Sequence, residues 1–350
     1  MMQRSATRAF LKSLPWIGLL LALGVFARQE GELQQGMVNP GYEEKPEWFK
    51  NSFLDIREDI DEARQAGRRV LLYFYQDGCP YCAKLLKDNL SQADIEKTLR
   101  KGFDVIAINL WGDRDVTGFD GKPRSEKKFA VDLKVMYTPT LVFLDDDGKV
   151  RLRINGYYPP DKFRLALAYA SERGTRSFRA FLAASRVRNN SGPVASEAGF
   201  MRPPFRLPAA NRHADRPLAV FFEEPDCRPC EEWHADVLKR PEVAATLKRF
   251  DALTLNLWAK TPLITPDGRR IRADAWAREL GITYAPSVVF FDTEGRQVFR
   301  TEAYLKAFHL NAALNYVLSG AYREQPEFQR FVDDWADALR ARGVEVELMK

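Results

Sequence analysis

The sequence predicts an α/β protein built from two tandem copies of one domain. Three observations carry this. All four cysteines fall in two Cys-x-x-Cys motifs, Cys79–Cys82 and Cys227–Cys230. The first motif follows the apolar run Val70 to Tyr75 and precedes a helical pattern. The motif spacing then recurs elsewhere: the cysteines match at an offset of 148, and Asn109-Leu110-Trp111 returns as Asn256-Leu257-Trp258 at 147. So do Asp120-Gly121 with Asp267-Gly268, Tyr137 and Pro139 with Tyr284 and Pro286, Val142-Phe143 with Val289-Phe290, Arg153 with Arg300 and Tyr157 with Tyr304. The one-residue loss lies between Leu99/Leu247 and Phe103/Phe250, a helix-to-strand loop where deletions are tolerated. Two copies of roughly 130 residues make tandem globular domains, not a solenoid.

Along the first copy, Phe53, Ile56, Ile60 and Ala63 recur at helical spacing, with Gly67 as a stop. Val70 to Tyr75 reads as a buried strand. Leu85, Leu86 and Leu90 continue a helix opened at Pro80, and Ala93 to Lys101 is a second helical pattern. Phe103 to Trp111 reads as a strand and Glu126 to Leu133 as a short helix. Leu141–Leu144 and Val150–Ile154 form a hairpin across Asp146-Asp147-Gly148, and Pro160 to Ala170 closes the unit. The order is α, β, α, β, α, β, β, α. The second copy lacks the first helix, because its counterpart carries Pro203, Pro204 and Pro208. It ends instead in a helical tail, Pro326 to Arg342, with Phe328, Phe331, Val332, Trp335 and Leu339 on one face.

These patterns divide the chain into residues 1–27, 28–46, 47–184, 185–216 and 217–350. Residues 1–27 carry Arg4, Arg8 and Lys12, then an apolar stretch shorter than a comfortable span and the small-x-small triplet Val25-Phe26-Ala27. A cleaved secretory signal is the first reading, an uncleaved membrane anchor the second and a buried helix the third. Either of the first two puts the body outside the cytoplasm, in the periplasm, with membrane contact only through this segment if it stays. Residues 28–46 read as a tether. Residues 185–216 read as a linker, with Asn189-Asn190-Ser191-Gly192-Pro193 and Pro203-Pro204 in it. The 45% apolar and 29% charged content is that of a soluble globular protein. The net charge of +5 is not gathered in one basic run, which speaks against nucleic acid as a partner.

A Cys-x-x-Cys that ends a strand and opens a helix is a redox arrangement. The first sulfur sits among unpaired helix N–H groups, where the helix dipole favours a thiolate. The second, one turn on, resolves a mixed disulfide. Pro80 suits the first turn, having no N–H to leave unpaired. Neither motif is followed by His, which excludes c-type haem attachment. Zinc would need two more ligands, and His234 is the only histidine near a motif in sequence.

A strand, a Cys-x-x-Cys at a helix start, and Thr138-Pro139 or Ala285-Pro286 about 60 residues later before a hairpin together resemble the thioredoxin superfamily. The resemblance implies two thioredoxin-like domains, each a central mixed sheet flanked by helices. It implies a cis peptide before Pro139 and Pro286, with both prolines facing the disulfides and presenting backbone to a substrate chain. Asp77-Gly78-Cys79-Pro80-Tyr81-Cys82, Asn109-Leu110-Trp111-Gly112-Asp113 and the Thr138-Pro139-Thr140-Leu141-Val142-Phe143 stretch look like the SoxW-type periplasmic thioredoxins linked to bacterial sulfur oxidation. There are departures. Gly78 and Asp226 hold the usual Trp place, and the buried acid six residues before the first cysteine is replaced by Tyr73 and Phe221.

The functional expectation is an extracytoplasmic thiol–disulfide oxidoreductase acting on protein thiols and disulfides. Cys79 and Cys227 would be nucleophiles, Cys82 and Cys230 resolving thiols. Tyr81, expected to be exposed, and Thr138, Pro139, Ala285 and Pro286 would contact substrate. No cofactor or metal is needed; a reducing role in the periplasm would draw electrons from a membrane thiol transporter. Cys227 is crowded by Glu223, Glu224, Asp226, Glu231 and Glu232, so Cys79 is expected to be the more acidic thiol. Two alternatives remain: a Cu(I) or zinc carrier using both pairs and His234, and a scaffold in which only the first domain is redox-active.

Overall fold

In the first domain, α1 (Ile56–Gln65) starts at Asp55, whose carboxylate accepts the free N–H groups of Arg57 and Glu58. β1 (Arg69–Tyr75) follows, then α2 (Pro80–Leu85), a π-turn over Leu86–Leu90, α3 (Ala93–Gly102) and β2 (Phe103–Asn109). A small hairpin, β3 (Asp115–Thr117) and β4 (Pro123–Ser125), leads to α4 (Glu126–Asp132), β5 (Thr140–Leu144), β6 (Val150–Asn155), α5 (Pro160–Ser171) and α6 (Phe178–Ser185). The computed structural model describes residues 43–185 and 191–349, so the expected targeting segment, most of the tether and Asn189-Asn190 lie outside the described residues.

The sheet order is β2-β1-β5-β6, with β1 parallel to β2 and antiparallel to β5. It is a mixed sheet covered on both faces. Leu71 and Tyr73 of β1 join the cluster under α2, α3 and α5, while Val70, Leu72 and Phe74 pack against α1 and α4. Burial on both faces is why β1 reads as an unbroken apolar run.

The second domain repeats the plan. Its elements are β7 (Phe205–Arg206), β8 (Leu218–Glu223), α7 (Arg228–Ala235), α8 (Pro241–Leu247), β9 (Asp251–Asn256), the hairpin β10 (Pro262–Ile264) and β11 (Arg270–Arg272), α9 (Ala273–Glu279), β12 (Ser287–Phe291), β13 (Gln297–Thr301), α10 (Ala307–Ser319) and α11 (Phe328–Ala341). The sheet order is β13-β12-β8-β9, the same as in the first domain. Where α1 would stand, the proline-rich stretch lays down β7, which pairs with β10. Phe205 and Leu207 thereby cover Leu218, Val220 and Phe222, as Ile56 and Ala63 cover β1. Part of the stretch read as a linker is thus core of the second domain.

The two domains lie in one compact unit and touch reciprocally. Arg179 of α6 stacks on Trp258 at 4.4 Å and donates to the carbonyls of Leu257 (2.7 Å) and Ile282 (2.8 Å). Arg330 of α11 stacks on Trp111 at 5.0 Å. Tyr158 and Tyr284 stack with centroids 4.0 Å apart. Gly156 allows a close approach: a Cβ there would fall 2.4 Å from that of Ala303.

Candidate redox sites

Both sites are built the same way. β1 and β8 end in loops that turn through positive φ just before the first cysteine, at Gly78 (φ 74°) and Asp226 (φ 57°). Glycine adopts that conformation without cost, and Asp is among the residues that tolerate it. Cys79 and Cys227 are the N-caps of α2 and α7, with a proline in the first turn of each helix. Their sulfurs accept the N–H of Cys82 (3.1 Å) and Cys230 (3.2 Å). Each pair is joined as a disulfide with Cα atoms 5.2 Å apart.

The proline loops face the first sulfurs. Thr138–Pro139 and Ala285–Pro286 are both cis, as the resemblance implies. Cys79 Sγ lies 3.6 Å from the Thr138 carbonyl, and Cys227 Sγ lies 3.6 Å from that of Ala285. The first site has one further contact: Thr138 Oγ1 donates to Cys79 Sγ at 3.2 Å. Ala285 has no hydroxyl with which to do the same.

Trp111 and Trp258 hold the loops before the cysteines. Their indole N–H groups donate to Gln76 (3.1 Å) and Glu224 (2.9 Å), residues at equivalent places in the repeat. Tyr73, in the place of the acid, is buried, and burial pushes its pKa up. It cannot trade protons near neutral pH. The second domain keeps buried acid elsewhere. Glu223, at the end of β8, faces His234 Nε2 at 3.0 Å, and Glu197 faces Nδ1 at 2.7 Å. Burial raises the Glu223 pKa against the pull of His234. Burial also opposes the charge on His234, but hydrogen bonds from both ring nitrogens to carboxylates prevail and raise its pKa.

Two sequence expectations change. Tyr81 is not exposed: it is 6% accessible and lies under the second domain. The acidic crowd near Cys227 is also largely paired. Glu223 meets His234, Glu224 accepts from Lys162 of the first domain (2.7 Å), and Glu232 accepts from Lys306 (2.5 Å). Sequence order showed the acids but not the partners folded against them. Among the described residues no group of three or more His, Cys, Asp and Glu side chains could hold a metal, and His234 is engaged by carboxylates. Among them, too, no helix is long and apolar enough to cross a membrane.

Two strand–turn–helix disulfides, each facing a proline loop, form an arrangement suited to thiol–disulfide exchange. The family model described as Thioredoxin-like domain matches residues 56–171 and again 208–318, more than half of the chain, and the chain belongs to that family. Among solved structures it is similar to a thioredoxin-fold protein from Helicobacter pylori, at 16% identity over 35% of this chain and 84% of that one, TM-score 0.32. It is also similar to a thioredoxin from Thermus thermophilus (26% identity, 33% and 82%, TM-score 0.26). A third is a disulphide isomerase from Xylella fastidiosa Temecula1 (16% identity, 43% and 100%, TM-score 0.26). No curated protein matches the chain.

Proposed function

We propose that the chain is an extracytoplasmic thiol–disulfide oxidoreductase of the SoxW-type periplasmic kind, working through both Cys-x-x-Cys pairs. The observation that carries the exchange chemistry is the pairing, made twice, of an N-cap cysteine with a carbonyl of the facing proline loop. Cys79 and Cys227 are the attacked and attacking sulfurs, and Cys82 and Cys230 resolve the mixed disulfides. Thr138-Pro139 and Ala285-Pro286 present backbone to the partner. The periplasmic setting rests on the basic and apolar N-terminal segment, and the electron source for a reducing role would be a membrane thiol transporter.

Electrons run from the second pair to the first in this reading. Thr138 Oγ1 stabilises a Cys79 thiolate, and a more acidic nucleophilic thiol gives a more oxidising couple. Reduction and reoxidation of a short disulfide-bonded peptide by the full chain test the activity. Turnover should fall on Cys79→Ser and on Cys227→Ser; turnover indifferent to both removes the proposal. Equilibration of full chains carrying one pair each, the other replaced by serines, against glutathione gives the two potentials. A second-pair potential above the first reverses the electron direction.

A further inference from the structure

The residue between the cysteines differs in the two copies, and so does the space above the sulfur. Tyr81 sends its ring into the second domain. Its hydroxyl accepts the Lys306 N–H at 2.9 Å, and its ring meets His309 edge-on with centroids 5.0 Å apart. Tyr137, two residues before Pro139, is hydrogen-bonded by the Glu302 backbone. Between these two anchors Ala303 sits against Gly156. The segment Glu302–Lys306 therefore lies in the groove beside Cys79 and Thr138, where a partner chain would lie. It leaves a cavity of about 40 Å³, room for little beyond a water.

At the second site Pro229 stands where Tyr81 stands, with no ring to send across. Cys227, itself only 2% accessible against 4% for Cys79, lines a cleft of about 570 Å³, within the range of small-molecule sites. One wall is Arg228 and Glu232 of its own domain; the opposite wall is Pro159, Pro160 and Lys162 of the first domain. A folded partner cannot press a flat surface onto Cys227 past that wall, whereas a slim molecule can enter.

Resting on the exchange reading above, we propose that Cys227 is the port through which the closed molecule meets external thiols, that it admits peptide-sized thiols and disulfides, and that Glu302–Lys306 acts as a built-in substitute for substrate at Cys79. In the step, a thiolate RS⁻ attacks Cys227 Sγ. The R–S–Sγ bond forms, the Cys227–Cys230 bond breaks, and the electron pair leaves on Cys230, which takes up the proton given up by RSH. A second RS⁻ attacks the sulfur of R, releasing RSSR and leaving Cys227 as thiolate. Two thiols are oxidised and one disulfide is reduced.

The test is glutathione added to the full oxidised chain, quenched at intervals with iodoacetamide and mapped by peptide mass. Cys227 and Cys230 should be labelled at least about tenfold faster than Cys79 and Cys82. Labelling of Cys79 first, or of both pairs together, overturns the proposal. Glutathione coupled through its amino group to a folded carrier protein should react at Cys227 about tenfold more slowly than free glutathione; equal rates overturn the size restriction. Ala303→Arg, which forces the segment off Gly156, should speed labelling of Cys79 by about tenfold, and an unchanged rate in a folded variant overturns the substitute role. Pro160→Trp, outside the redox machinery, should fill the cleft and slow labelling of Cys227, and an unchanged rate overturns the port. If glutathione and dithiothreitol open neither pair before the protein unfolds, both disulfides are structural and the exchange reading itself falls. If both pairs open but Cys79–Cys82 goes first, only the port falls.

Discussion

The two redox sites share a backbone and differ in side chains. Both have a cysteine N-cap, a proline in the first helical turn, a cis proline loop and a tryptophan holding the preceding loop. They differ at Tyr81 against Pro229 and at Thr138 against Ala285. The first difference fills the groove beside one sulfur and leaves a wider cleft beside the other, although both sulfur-bearing residues are buried; the second gives one sulfur an extra hydrogen bond. After duplication, two equal sites need not become unequal through their own chemistry. A ring that reaches the neighbouring domain is enough, because the domains pack with their proline loops toward one another.

The largest expected effect therefore comes from Tyr81. It is almost wholly buried between domains, so Tyr81→Ala removes an aromatic ring and leaves a void, and should cost about 3 kcal/mol. Pro229→Ala, at the edge of an open cleft, should stay within about 1 kcal/mol. Urea midpoints at constant m-value measure both. Equal losses would mean that Tyr81 does not tie the domains together.

Next comes the pH dependence, where two histidines should act with opposite sign. His309 is buried against Tyr81, and burial lowers its pKa to about 4 despite a hydrogen bond to the Leu348 backbone. Between the ordinary 6.5 and that value the unfolded chain binds a proton that the folded chain refuses. Stability is then lost as pH falls from about 6.5 toward 4, by about 3 kcal/mol at the bottom of the window. His234 goes the other way. Its raised pKa gives stability that is present in full below about 6.5 and lost as pH rises through the elevated value. Thermal melts across this range should show an acid limb made shallower by His309→Phe, the rest coming from ion-paired carboxylates such as Asp146 and Asp292, and an alkaline limb made shallower by His234→Gln. An acid limb left unchanged in depth between pH 6.5 and about 4 by His309→Phe would place the buried group elsewhere.

Much of this was legible in the sequence. The strands, the helix starts, the hairpins and the repeat all follow from patterns a few residues long, and the motif-to-proline spacing marked both facing loops. The fate of Tyr81 was not legible. Its partners, Lys306 and His309, are more than two hundred residues away, and nothing local distinguishes a ring that docks from one that waits for substrate. The pairing of Glu224 with Lys162 was hidden for the same reason. β7 escaped because a two-residue strand is defined by its neighbour β10, not by a pattern of its own. The Arg179–Trp258 and Arg330–Trp111 stacks left a faint trace, in that both arginines lie on helices that follow the closing helix of their domain.

The smallest expected effect lies in the second difference, and it tests whether the sites also diverge chemically. In a chain reduced to Cys79 alone by serines at 82, 227 and 230, Thr138→Ala deletes the hydroxyl that donates to the sulfur. A hydrogen bond to the charged form is worth about 1 kcal/mol or somewhat more, so the Cys79 pKa should rise by about 0.7 to 1 unit. The thiolate's ultraviolet absorbance follows this directly. The reciprocal Ala285→Thr, in a chain keeping only Cys227, should lower that thiol's pKa by a similar amount. If both shifts appear, the proline loop tunes the sulfur independently of the cap and the two domains were adjusted at two separate positions. If Thr138→Ala leaves the Cys79 titration unmoved while Ala303→Arg still speeds its labelling, the difference between the sites is one of access alone. The acids around Cys227 then matter little, because Lys162, His234 and Lys306 already answer three of them.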